Sequence, residues 1–129
     1  EVEVEGWIKT KRSSKKLGFI ELNDGTFFKN LQVVYEENIN DFEIIEKLPI
    51  YTAIKVKGML VETPQAKQPF EVRADRIEIL APSDNDYPIQ KKRHSLEYLR
   101  TIQHLRPRTN TFNSVFRVRS MMAYAIHKF

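Results

Sequence analysis

The chain has 129 residues and a net charge of +4, room for one ordinary domain or for a small domain with a piece of a second. It has no cysteine, which excludes disulfides and thiolate metal sites, and His94, His104 and His127 lack the spacing of a zinc site or a catalytic dyad. No apolar stretch approaches the length of a signal core or a membrane span, so a cytoplasmic location off the membrane is expected, and the absence of an initiator Met points to a fragment.

The net charge hides an asymmetry. Residues 1–86 carry 12 Lys and Arg against 16 Asp and Glu, a balance of −4, whereas residues 87–129 carry 9 against 1, a balance of +8. The first part is no indiscriminate polyanion binder. Any nucleic-acid contact there must come from a local patch, with repulsion from the surrounding acids limiting non-specific affinity.

In chain order, Val2, Val4 and Ile8 alternate with Glu1, Glu3 and Glu5, which predicts a first strand. Trp7 falls on the Glu face by parity, but a sharp bend at Gly6 would turn it inward, and it is expected in the core. Lys9, Lys11, Arg12, Lys15 and Lys16 then form a basic run, read as a loop over 9–16. A second strand covers about 17–23 and ends at the turn signal Asn23-Asp24-Gly25. Strand side chains alternate faces, so Ile20 and Leu22 share one side while Phe19 shares the other with Glu21. An exposed ring beside cations is what a protein that stacks unpaired bases needs. The alternative is a ring capped by a neighbouring loop and simply part of the core.

A third strand at about 30–35 puts Leu31, Val33 and Tyr35 on one face and Gln32 on the other. The period then becomes helical, with Ile39, Phe42, Ile45 and Leu48 recurring until Pro49 stops the run. Ile54 and Val56 alternate with Lys55 and Lys57 in a fourth strand. In a fifth, Phe70, Val72 and Ala74 alternate with Glu71, Arg73 and Asp75, and a change of phase before Ile77 and Ile79 predicts a bulge.

Three strands, a helix and two strands, β1-β2-β3-α-β4-β5, is the element order of the OB-fold, a five-stranded Greek-key barrel that binds oligonucleotides on the face of strands 2 and 3 with loops 1-2 and 4-5. The fold class expected for residues 1–81 is therefore all-β with one helix. The candidates fall in those places: the basic loop 9–16, Phe19 on strand 2, Gln32 on strand 3, and loop 4-5 from Thr63 to Pro69. Another small barrel or sandwich with no nucleic-acid role would use the same strand count.

Residues 82–94 contain Pro82 and Pro88, no apolar period and the basic triplet Lys91-Lys92-Arg93, and read as a linker. Residues 95–129 read as helices. Ser95 can cap a short one holding Leu96, Leu99 and Ile102; Asn110 or Thr111 can cap a longer one whose stripe is Val115, Val118, Met122, Ile126 and Phe129. That stripe has nothing obvious to bury against, so a second domain beyond Phe129 is expected.

Three segments, Val4-Glu5-Gly6-Trp7-Ile8 with Arg12, Gly18-Phe19-Ile20-Glu21-Leu22-Asn23-Asp24-Gly25, and Leu31-Gln32-Val33-Val34, carry a resemblance. The chain resembles the start of class II aminoacyl-tRNA synthetases of the aspartate, asparagine and lysine subgroup, whose N-terminal OB-fold reads the anticodon. Residues Tyr87 to His94 and His104-Leu105-Arg106-Pro107-Arg108-Thr109-Asn110 look like the asparaginyl branch; an aspartyl-type fragment is the alternative. The resemblance implies that Phe19 stacks on an anticodon base and that Gln32 hydrogen-bonds the central uridine. It further implies that Arg12 is the basic contact near the same base and that Glu71 is the carboxylate near the first anticodon position, a guanosine.

Parity agrees, because Phe19, Gln32 and Glu71 each lie opposite their strand's apolar face. Stacking contributes about 1–3 kcal/mol per base and tolerates any sequence, whereas base-edge hydrogen bonds supply identity. Without the resemblance, Gln32 and Glu71 read as solvated polar residues and Arg12 as a general phosphate contact.

The resemblance also implies a parent enzyme, a homodimer that joins asparagine to its tRNA with ATP and Mg2+. The segments that hold ATP and the aminoacyl adenylate in that family are not in this sequence. Nor is there a phosphate-binding Gly-rich loop, a nucleophile elbow or a metal-ligand helix. The chain itself is therefore expected to bind the tRNA anticodon loop with no catalytic or metal residue of its own. The competing readings are a general single-strand-binding OB module with a steep salt dependence, a protein-interaction barrel, and a paralogue acting on a free amino acid.

Overall fold

In the computed structural model, which describes residues 1–66 and 68–129, the predicted strands close into a barrel. Strands β1 (Val2–Ser13), β2 (Leu17–Asn23), β3 (Leu31–Glu36), β4 (Ala53–Glu62) and β5 (Phe70–Ala81) are joined in the order β1-β2-β3-β5-β4, with α1 (Phe42–Lys47) between β3 and β4. All neighbours are antiparallel except β3 and β5, whose parallel pairing closes the barrel. This is the five-stranded OB topology expected from the element order.

Alternation along the strands builds the core. Ile8, Ile20, Leu22, Val33, Tyr35, Ile54, Val56 and Val72 are buried inside the barrel, and Ile39, Ile45 and Leu48 from the helical run join the same cluster. One close approach fixes a glycine: a Cβ at Gly18 would overlap the ring of Tyr35, a buried residue whose hydroxyl finds no hydrogen-bond partner among the described residues. Burial pushes the Tyr35 phenol up from its ordinary pKa, and the nearby Glu46 carboxylate adds to the shift.

Two of the three register irregularities in the barrel bear on which residues reach the outer face near Phe19. On β5 the register passes from Lys57↔Arg76 to Gly58↔Ala74, leaving Asp75 as the extra residue, which is the predicted change of phase. On β1 it passes from Ile8↔Leu22 to Thr10↔Glu21, leaving Lys9 extra. Even-numbered residues face inward up to Ile8. Beyond Lys9 the parity reverses, so Lys11 lies opposite the buried Ile20 and Arg12 lies opposite Phe19.

Three expectations are corrected. The basic run is not a loop from 9 to 16, because Lys9 to Ser13 continue the β1 ladder and only residues 14–16 connect the strands. Trp7 is 38% exposed rather than core, because the irregularity comes at Lys9 and not at Gly6, so Trp7 keeps the parity of the Glu face. The long helix, α3 (Asn110–Lys128), is capped by Thr109 rather than Asn110 or Thr111: the Thr109 hydroxyl accepts from the Phe112 N–H at 3.4 Å.

The chain divides into two compact units, Glu1–Tyr87 and Pro88–Phe129. The first runs past β5 because Tyr87 packs on Tyr51, with ring centroids 4.5 Å apart. The second holds α2 (Leu96–Thr101), capped by Ser95 as predicted, a 3₁₀ turn at Arg106–Arg108, and α3. In it the Arg106 guanidinium lies 4.8 Å from the centroid of Phe112, and the stripe of Val115, Val118, Met122, Ile126 and Phe129 is exposed.

Candidate nucleic-acid interface

The reversal of parity at Lys9 is what assembles the candidate face. Outward-facing residues of neighbouring strands line up in two adjacent cross-strand rows. In one, Arg12 on β1, Phe19 on β2, Val34 on β3 and Arg73 on β5 are successive register partners. In the other the partners are Thr10, Glu21, Gln32 and Glu71 on the same four strands. The structure thus brings Phe19, Gln32, Glu71 and Arg12 together on one outer face.

Phe19 is half-buried and lies outside the core cluster. Arg12 lies over it, with the guanidinium carbon 4.7 Å from the ring centroid, a cation–π contact. Gln32 Nε2 donates to Glu71 Oε2 at 3.2 Å, and Arg73 Nε approaches the other Glu71 oxygen at 3.7 Å. Both Gln32 and Glu71 are partly shielded from water, which strengthens their hydrogen bonds.

The hairpin that carries Arg12 is tied down from the far side. Lys11 Nζ donates to the Glu46 carbonyl at 2.6 Å, and Ser13 Oγ donates to Glu46 Oε1 at 2.6 Å. Partial burial lowers the Lys11 pKa and Glu46 offsets part of the shift. Lys15 and Lys16 occupy the exposed tip.

Several contributors were not picked out in the sequence. Asn30 Nδ2 donates to Glu21 Oε2 at 2.9 Å, and Asn23 Nδ2 donates to Asn30 Oδ1 at 2.9 Å, joining the β2–β3 turn to the second row. Gly25 in that turn has φ 84°, and Asp24 accepts from the Thr26 hydroxyl at 2.7 Å and its N–H at 2.9 Å, which holds the Asp24 carboxyl below its ordinary pKa. Strand parity put Glu21 and Arg73 on the outer face without singling them out, and Asn30, at the start of the strand expected over about 30–35, lies just before β3 in the turn. A cavity of about 450 Å³ at this end of the barrel is lined by Leu22, Phe27, Leu31 and Phe70 among others. Another unpredicted contact places Lys9 Nζ 5.1 Å from the Tyr51 ring centroid.

The expected loop 4-5, residues 63–69, is pinned at its base by Thr63, whose N–H donates to the Pro69 carbonyl and whose hydroxyl donates to the Gln68 carbonyl, both at 2.8 Å. Lys67 lies outside the described residues. Among the described residues no group of three or more His, Cys, Asp or Glu is arranged to hold a metal ion, and no helix is long and apolar enough to cross a membrane.

A ring under a guanidinium, beside an amide and a carboxylate, can stack a flat base and address hydrogen-bonding edges next to it. The closed OB barrel that carries this face defines the class of the chain. The chain belongs to the family of OB-fold nucleic acid binding domains, whose model matches residues 2–80. Over its whole length it is 66% identical to the asparagine–tRNA ligase of Acetivibrio thermocellus and 62% identical to that of Alkaliphilus oremlandii, and it spans 28% of the length of each of these relatives. The fold is also that of the crystal structure of asparaginyl-tRNA synthetase from Pyrococcus horikoshii, with a TM-score of 0.87 and 24% identity over 98% of this chain and 31% of that one.

Proposed function

We propose that this chain is the anticodon-reading part of an asparagine–tRNA ligase. Identity of 66% across its entire length to a protein of that name supports asparagine over aspartate as the parent's amino acid. In this reading Phe19 stacks an anticodon base, Gln32 reads the central uridine, Arg12 is the basic contact near that same base, and Glu71 is the carboxylate near the first anticodon position, a guanosine. The parent joins asparagine to tRNA with ATP and Mg2+, as a cytoplasmic homodimer, and the present residues select and position the tRNA.

The observation that carries the reading is the adjacency of the two rows. A stacking ring that confers affinity lies beside two hydrogen-bonding groups that confer identity, so two consecutive unpaired nucleotides can be held and read on one surface. The acidic balance of residues 1–86 disfavours a general single-strand binder, whose affinity would rest on uniform positive charge.

The test is binding of an anticodon stem-loop RNA containing guanosine then uridine by the wild-type chain and by its Phe19→Ala and Gln32→Ala variants. Weakening by Phe19→Ala for every loop sequence, and loss of uridine preference in Gln32→Ala, is the expected result. Binding unchanged in both variants would remove the proposed site.

A further inference from the structure

Resting on that reading, we infer that Glu71 is a positioning residue for Gln32: by accepting from Gln32 Nε2, it fixes which way the Gln32 amide faces and so sets the choice of uridine over cytidine. Glu71 thereby serves the second anticodon base as well as the first.

An amide side chain is nearly symmetric in shape and antisymmetric in hydrogen bonding, since one end accepts and the other donates. On the edge formed by positions 4 and 3, uridine presents an acceptor then a donor, and cytidine presents a donor then an acceptor. A glutamine in one orientation matches uridine there, and the same glutamine rotated by half a turn about its last bond matches cytidine. An amide free to rotate therefore cannot tell the two pyrimidines apart along that edge. Discrimination needs something that forbids the rotation.

Glu71 is placed to do this. Gln32 and Glu71 are register partners across the parallel β3–β5 pair, and Nε2 lies 3.2 Å from Glu71 Oε2. One N–H of the amide is committed to the carboxylate, which leaves Oε1 and the second N–H for the base. Rotation would put Oε1 where Nε2 now sits, facing an ionised carboxylate that can only accept. Two acceptors at hydrogen-bond distance repel, and the partial burial of both residues keeps water from relieving the conflict. Glu71 itself is held from the other side by Arg73 Nε, 3.7 Å from Oε1. On the remaining flank Glu21 is the register partner of Gln32, and its carboxylate already accepts from Asn30.

The test uses the whole chain and stem-loop RNAs with uridine or cytidine at the second anticodon position, measured by fluorescence anisotropy for wild type, Glu71→Gln, Gln32→Ala and the double variant. The Glu71→Gln side chain keeps the shape of glutamate, but its amide can offer either an acceptor or a donor, so it releases the lock. The uridine-to-cytidine affinity ratio should fall about tenfold in Glu71→Gln. In the Gln32→Ala background the same substitution should leave the ratio unchanged. A uridine preference unaltered by Glu71→Gln, or an effect of equal size with and without Gln32, overturns the inference while the anticodon-reading role stands. A merely structural role for Glu71 would weaken both RNAs equally and leave the ratio where it was, which also overturns it. Failure of Gln32→Ala alone to change the ratio would instead sink the proposed function.

Discussion

The guanidinium of Arg12 covers the ring of Phe19, its carbon 4.7 Å from the ring centroid, and the two residues are direct partners across β1 and β2. This contact exists because Lys9 bulges out of the ladder and reverses the parity of the residues after it. Without the bulge Arg12 would face the barrel interior.

Removing the ring should therefore weaken RNA binding more than it weakens the fold. Loss of a base stack, worth about 1–3 kcal/mol, predicts a rise in Kd of roughly tenfold to a hundredfold for Phe19→Ala. The ring is only half-buried, so the midpoint of urea unfolding should move much less.

Arg12→Lys separates charge from planarity. A lysine keeps the positive charge near phosphate but cannot lie flat over a ring or present a fork of donors. Affinity should drop while the dependence of Kd on salt keeps its slope, whereas Arg12→Ala should also reduce that slope by about one unit. Titrations at several salt concentrations measure both.

Gly18 is set against the Tyr35 ring, and Gly18→Ala forces the ring or the strand to move. Overpacking of this kind costs about 1–3 kcal/mol, so chemical denaturation should show a lower midpoint. Since Gly18 precedes Phe19, RNA affinity should fall as well.

The Asp24 turn predicts an acid sensitivity of defined sign. Hydrogen bonds from the Thr26 hydroxyl and then its N–H lower the Asp24 pKa from the ordinary 3.8. The stability they contribute is complete above that ordinary value and is lost as pH falls through the lowered one. In Thr26→Ala the Asp24 carboxyl should titrate closer to 3.8, a shift that carboxyl NMR can follow.

The barrel was legible because its strands have one buried face. The alternation of Ile20 with Phe19, Val33 with Gln32, and Val72 with Glu71 placed core and candidate residues on opposite sides without any tertiary information. The stretch Lys9-Thr10-Lys11 has no apolar member, so it gave no period from which to read continued pairing or a bulge, and it looked like a loop. Trp7 was misplaced for the same reason, since the point where parity breaks lies inside that polar stretch. The Lys11–Glu46–Ser13 tie was not legible at all: it joins residues 33 and 35 positions apart that no local pattern links. Asn30, expected as the first residue of the third strand, acts instead from the turn just before it.

The most direct test follows backbone amide shifts of the labelled chain as an anticodon stem-loop with guanosine then uridine is added. Saturable changes concentrated at Arg12, Phe19, Gln32 and Glu71, and clearly smaller at matched concentration when the uridine is replaced by cytidine, are predicted. Changes confined to Pro88–Phe129, or identical for both RNAs, would contradict the claim that this outer face of the barrel reads the base.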